Sequence, residues 1–252
     1  MNNIFSIIEI LSLEMSELEN AIRDNNMEKV ELELIIRKLE RDPIDYSEIL
    51  KTLIYALKYE RYDMFDFIVE QTNYDIDFRD DKFKYATLLM QNICYYGEMD
   101  PHSIRHILNR SKDVNIQDDD GHTALFKLIH KCDEYKEIGL SLIIEFLEKG
   151  ANPLAGGYEN TEEETALDLV ILYEYFDILK IFVKHSKVDI SFKALCMSII
   201  EQNYNFVEYL LGHIKDVNAV DNNGRNLLQI ANGCKHVPYD IIELLVESGA
   251  HD

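Results

Sequence analysis

Basic residues are scarce in this sequence: 25 Lys and Arg stand against 47 Asp and Glu, a formal net charge of −22 over 252 residues. A field of that sign repels phosphate backbones and anionic membranes and steers basic partners toward the surface, so direct DNA or RNA binding is not expected. Cysteine is sparse too. Cys94, Cys132, Cys196 and Cys234 lie 38, 64 and 38 residues apart, without the Cys-x-x-Cys spacing of a zinc site, and read as four reduced thiols. No run of about 18 uncharged apolar residues is present, so no membrane span is expected. The stretch from Met1 to Glu9 lacks the basic start and small-residue cleavage site of a signal peptide. Export by a specialised machine remains compatible with that.

Catalytic signatures are missing as well. There is no Gly-x-Ser-x-Gly, no His-Glu-x-x-His and no glycine-rich phosphate loop. His102 and His106 sit four apart with Glu98 nearby, but Pro101 marks a helix start and no third ligand is evident. With 47 carboxylates, acidic pairs arise by number alone, and none stands out as an acid–base dyad. Neither a metal nor a cofactor is expected, and the chain is read as non-catalytic.

What the sequence does contain is a passage that occurs twice. Residues 113–121, DVNIQDDDG, return as residues 216–224, DVNAVDNNG. Each copy follows an apolar helical stretch (Ile104, Ile107, Leu108; Val207, Leu210, Leu211) and precedes another that opens at Thr123 or Asn226. Recurrence of helix, turn and helix marks a repeat architecture, in which each unit buries its apolar face against its neighbours. An apolar fraction of 47% suits such a packed core.

The repeat resembles the ankyrin repeat. Gly121-His122-Thr123-Ala124-Leu125 and Glu164-Thr165-Ala166-Leu167 match the family's Thr-Pro-Leu-His helix start, and Lys149-Gly150-Ala151-Asn152 and Ser248-Gly249-Ala250 match the end of its second helix. No unit keeps the full Thr-Pro-Leu-His. With the Thr-equivalent position as a ruler, units fall at Ser16, Lys51, Thr87, Thr123, Thr165, Lys193 and Asn226, close to the family period of about 33. The resemblance implies an all-α helix-turn-helix solenoid of about six to seven repeats with short hairpin-like turns. The expected units are 16–46, 47–82, 83–118, 119–160, 161–188, 189–221 and 222–252, with residues 1–15 as an N-terminal capping helix. Pro43, Pro101, Pro153 and Pro238 all fall between expected helices, where a missing N–H is tolerated. The fourth unit carries a longer interhelix segment, Cys132 to Gly139, and the turn at Ser186–Phe192 is too short for a full hairpin. The final Gly249-Ala250-His251-Asp252 stands where another hairpin would begin, which fits either a true end or a piece of a longer repeat protein.

The function that the resemblance implies is protein binding through a concave face built from hairpin tips and first helices. Asp118 and Asp221 are read as structural, because an Asp early in a turn satisfies backbone N–H groups. Asn115 and Asn218 are read as bonding their own hairpin backbone, although such Asn residues are substrates of an asparaginyl hydroxylase in some family members. The excess acids Asp80, Asp81, Asp119, Asp120, Glu162, Glu163 and Glu164 are the candidate contacts for a basic protein partner. Tyr59, Tyr95 and Tyr173 share one offset, eight residues after the ruler position, and Tyr158 lies near the inserted loop. Tyrosine gives large contact area at low entropic cost. The expected protein is a monomeric, cytoplasmic interaction module. An immunity protein that neutralises a basic toxin or nuclease, or an effector delivered to a host cell, are its more specific forms.

Overall fold

The structure, a computed structural model, describes residues 18–31, 46–79, 84, 86–94, 100–131, 136–156, 165–234 and 236–251. The expected capping helix at residues 1–15 and the Cys132 thiol lie outside these. Two helical stretches at residues 18–23 (α1) and 27–31 (α2) come first. They are followed by α3 (Tyr46–Lys58), α4 (Tyr62–Thr72), α5 (Leu88–Cys94), α6 (Pro101–Arg110), α7 (Ala124–His130) and α8 (Lys136–Lys149). The second half comprises α9 (Ala166–Leu172), α10 (Phe176–His185), α11 (Ser191–Ile200), α12 (Tyr204–Leu211), α13 (Leu227–Gly233) and α14 (Tyr239–Glu247). The described residues are all-α, as expected.

The helices pair, and the pairs stack. Helix α5 packs on α7, α7 on α9, α9 on α11 and α11 on α13, while α6 packs on α8 and α8 on α10 behind them. A first helix is therefore covered on both flanks and at its back. That is why the seven residues of α9 include five buried ones, Ala166, Leu167, Leu169, Val170 and Ile171, with none of the one-sided periodicity of an isolated amphipathic helix. Second helices have neighbours beside them and a first helix in front, and their backs are left open. In α10 the buried residues are Ile178, Leu179 and Phe182.

Two local devices recur. The first is the tight turn between paired helices. Asn25, Glu60, Glu174 and Gln202 all adopt left-handed backbone, with φ between 55° and 59°. In each case the next N–H reaches back to close the preceding helix, as Arg61 does to Ala56 O (2.8 Å) and Asn203 to Ser198 O (2.9 Å). Three of these four residues are Glu or Gln, which pay about 1–2 kcal/mol for this conformation. Packing of the following helix onto the first has to outweigh that. The second device is the helix start. Thr123, Thr165 and Asn226 each cap a first helix by accepting an N–H from three residues ahead, and Thr165 and Asn226 complete capping boxes with Asp168 and Gln229. At Lys51 and Lys193 the ruler residue is not a cap. Lysine offers no acceptor, so α3 and α11 begin earlier, at Tyr46 and Ser191.

The long fourth unit departs from expectation. Helix α8 starts at Lys136, within the segment read as interhelix loop, and at 14 residues is the longest helix described. The insertion is thus partly absorbed as helix. The shortened turn is as expected: α10 ends at His185 and α11 begins at Ser191. Pro101 opens α6 behind its cap Asp100, and Pro238 stands just before α14 without a side-chain cap. Cys94, Cys196 and Cys234 are free thiols, and burial pushes Cys196 up to about 11.

Outer helices are also joined by polar bonds. Asp66 on α4 accepts from His106 Nε2 (2.8 Å) and pairs with Arg110, both on α6, and Arg105 pairs with Glu145 on α8 (2.8 Å). His106 sits against the rings of Tyr62 and Phe65. Burial draws its pKa below the usual 6.5, outweighing the opposing pull of Asp66. The unfolded chain therefore takes up its proton first as pH falls, and stability declines below about pH 6.5 before levelling off under the folded pKa. In urea titrations the wild-type midpoint should fall between about pH 7.5 and about pH 5.5, and His106→Gln should fall by less. Leu167, fully buried in α9, should cost about 2–5 kcal/mol when changed to Ala, measured by denaturant unfolding.

Candidate functional site

The two copies of the repeated passage fold into the same turn. Asp118 accepts the N–H groups of Asp120 (3.0 Å) and His122 (2.9 Å) on one carboxylate oxygen, and Asp221 accepts those of Asn223 (2.9 Å) and Arg225 (2.8 Å). Gly121 and Gly224, both at φ 75°, close the tips onto the carbonyls of Asp118 and Asp221. The second carboxylate oxygen pairs with Lys127 at 2.7 Å in one copy and with Arg225 in the other. The structural reading of both aspartates is correct. Asp118 and Lys127 are buried together, at 3% and 15% side-chain exposure. Removing one leaves the other charge desolvated and alone.

The asparagines act differently from expectation. Asn115 donates to Gly150 O (3.1 Å) and accepts from Asn152 N (2.8 Å); Asn218 donates to Gly249 O (3.2 Å) and accepts from His251 N (3.0 Å). Each clamps the backbone of the next turn and not that of its own hairpin. Asp77 holds the same place one repeat earlier, accepting from Lys112 N (2.7 Å), Asp113 N (3.0 Å) and Ser111 Oγ (2.6 Å). A row of side-chain-to-backbone bonds therefore runs along the hairpin edge.

This row occupies many of the carboxylates that the sequence offers as a ridge. Asp113 and Asp216 bond the N–H groups of Asn115 and Asn218. Asp120 pairs with Lys84 (2.9 Å), whose hydrogen bond holds the Asp120 carboxyl below the ordinary range. Asp189 is held down in the same way by Lys215. Asp118, Asp120 and His122 bring potential ligand atoms within 4.8 Å of one another. Two of these three groups already meet ammonium groups, and the His122 ring stacks on Phe126 at 3.9 Å. The cluster works as a turn lock.

Of the expected contact residues, Asp119 and Asp120 stand at this hairpin edge. Tyr59 and Tyr173 stand at the other end of the first helices, since Tyr173 caps the C-terminus of α9 whereas Thr165 caps its start. The structure thus distributes these residues over two edges, separated by the length of a seven-residue helix, about 10 Å. Tyr59 is half-buried, and its hydroxyl donates to Glu19 (2.9 Å). Tyr173 is half exposed, 5.7 Å from the ring of Tyr175. Asp80, Asp81, Tyr95, Tyr158, Glu162, Glu163 and Glu164 lie outside the described residues. Sequence reasoning missed the neighbours of Tyr173. Leu172 and Ile200 end α9 and α11 half exposed, at a position that is Lys58 in α3 and His130 in α7. The same position is Cys94 in α5 and Gly233 in α13, so it has no uniform chemistry that would have singled these residues out.

No family model matches the sequence, and neither does any curated protein. Solved structures do match. The ankyrin repeat domain of Bcl-3, a member of the IkappaB protein family, aligns with a TM-score of 0.62 at 16% identity, covering 91% of this chain and 97% of that one. The chain has the ankyrin-repeat fold. An ankyrin repeat domain from Acinetobacter baumannii AYE aligns at a TM-score of 0.52 and 20% identity, over 79% of this chain and 98% of that one. At such identities the likeness carries the ankyrin architecture, and the surface chemistry has to come from the residues themselves. Among the described residues no helix is long and apolar enough to cross a membrane.

The turn lock has a measurable weight. Asp118→Ala should destabilise the ankyrin array by about 3–5 kcal/mol, because Lys127 loses its buried partner. Asp118→Asn keeps an acceptor for the turn N–H groups and should cost less. Equal urea midpoints for the two variants would show that the Lys127 pair matters and the turn bonds do not.

Proposed function

We propose that this ankyrin-repeat chain is a non-catalytic interaction module for a basic protein, attracted by acids in its central turns. The supporting observation is where the charge sits. First helices α3 to α13 contain Lys51, Lys58, Lys127 and Lys193 against only Glu48 and Asp168. The excess acid is carried elsewhere. Residues 111–123 hold four Asp and one Lys, and residues 150–165 hold four Glu and no basic residue. These two acidic runs lie outside the first helices, as do the acids of α4 and α14, which narrows the reading made from composition. Clustered carboxylates at protruding tips raise the encounter rate with Lys- and Arg-rich surfaces and give a contact that salt screens. A toxin or nuclease held inactive by this chain, and a host protein engaged by a delivered effector, are both partners of that chemistry.

The test begins with capture from the native organism's lysate at low and high salt, with bound proteins identified by mass spectrometry. A basic partner released as salt rises is expected. Changing Asp119 and Asp120 to Asn, together with Glu162, Glu163 and Glu164 to Gln, should then weaken binding and flatten its salt dependence while lowering the melting temperature only slightly. Asp120→Asn removes only an exposed pair, worth less than about 1 kcal/mol. Binding that is insensitive both to salt and to these changes would overturn the reading.

A further inference from the structure

The pairs α9/α10 and α11/α12 correspond residue for residue at a spacing of 28. Leu172 and Ile200 end the first helices, Tyr173 and Glu201 are their C-caps, and Phe176 and Tyr204 begin the second helices. Helix α9 packs on α11, and the Phe176 ring lies 5.2 Å from Phe206 and 5.5 Å from Tyr209 on α12. Matching residues therefore stand about one helix spacing apart, roughly 8–10 Å. This places Leu172 (49% exposed), Tyr173 (50%), Ile200 (47%) and Tyr204 (37%) together on the interhelix edge. One repeat further on, Tyr239, 78% exposed, begins α14 and continues the row.

Folding does not require this apolar surface. Ile171 and Ile199, one residue earlier, already fill the core at 1% and 0% exposure. Contiguous exposed apolar groups with tyrosines mark contact surfaces. Carboxylates stand beside them. Glu174 and Glu201 are exposed next to the apolar residues and make no ion pair among the described residues, and Asp240 follows Tyr239. Of the nearby cations, Lys131 is the C-cap of the neighbouring α7, and Lys180 is paired with Asp177 and lies over the Phe176 ring at 4.2 Å.

We propose that this edge anchors an amphipathic helical segment of a basic protein. Its apolar stripe covers Leu172, Tyr173, Ile200 and Tyr204, and its Lys or Arg side chains reach Glu174 and Glu201. The span from the Leu172 row to the Tyr239 row is two helix spacings, about 16–20 Å, which a helix of about 11–14 residues covers. The assignment rests on the reading of a basic partner and adds the surface that holds it, on the edge opposite the acidic turns.

A fluorescein-labelled synthetic peptide of about 14 residues, with Leu at i, i+3, i+4 and i+7 spacing and Lys elsewhere, is the probe, read by fluorescence anisotropy. A scrambled peptide of equal composition is its control. Wild-type protein should bind the amphipathic peptide at least about tenfold more tightly than the scrambled one. The double variant Leu172→Ser, Ile200→Ser should lose about tenfold, and Glu174→Lys, Glu201→Lys, which leaves the apolar groups in place, should lose a similar factor. Asp119→Asn with Asp120→Asn should change peptide affinity little. Binding lost in that turn variant but kept in both edge variants would overturn this surface and leave the basic-partner reading standing. Equal binding of both peptides, or none, would overturn the surface too. A dimer seen by sedimentation velocity and abolished by Leu172→Ser, Ile200→Ser would assign the edge to a second copy of the chain instead.

Discussion

Burial of the first helices depends on their neighbours, and the rest of the molecule follows from that constraint. A seven-residue helix is too short to hold itself together in water. In α9 five of seven residues are buried because α7, α11 and α10 cover it from three sides. The energy that maintains each repeat therefore resides at its boundaries with the next. The polar chemistry serves those boundaries: Asp77, Asn115 and Asn218 all bond the backbone of the turn that follows. Caps such as Thr165 and Asn226 then fix where each short helix begins.

This division explains how charge and function separate. Apolar contact between first helices leaves little room for acid on them, so the excess of carboxylates lies on second helices such as α4 and α14 and in the turns. There it is partly neutralised by backbone N–H groups and by Lys84, Lys127, Lys215 and Arg225. Carboxylates that fold the chain and carboxylates proposed to draw a partner are thus members of the same turns. Asp118 and Asp120 lie two residues apart, yet one is buried in an ion pair and the other is exposed.

Turn chemistry was legible in the sequence because it is local. An Asp whose carboxylate accepts two N–H groups of a following Gly-containing turn writes the same short pattern at 118–121 and 221–224. The starts of α3 and α11 were not, since Lys51 and Lys193 hold the ruler position without being able to cap. Nor could the sequence separate Ile171 from Leu172. With neighbours on both flanks a first helix has no single apolar face, and only the end of its last turn decides which side chain meets water. Tyr59 and Tyr173 share an offset but not a fate, because Glu19 is within reach of one hydroxyl. The target of the Asn115 amide was hidden for a related reason, as it lies 35 residues downstream.

The short connection between α10 and α11 changes how the stack transmits force. Where Asn115 and Asn218 clamp the next turn through two amide hydrogen bonds each, the turn after α10 reaches the next through an ion pair of Asp189, the counterpart of Asp113 and Asp216, with Lys215, a side chain 85% exposed. Such a pair is screened by salt and contributes little. Across that joint the stiffness passes to the opposite side, where the Phe176 ring wedges between Phe206 and Tyr209. Viewed as a beam, the solenoid is compliant here at its hairpin edge, with a hinge that pivots on an aromatic bearing. The hinge lies between the two repeats that share Leu172 and Ile200, so bending there would alter the spacing of those side chains.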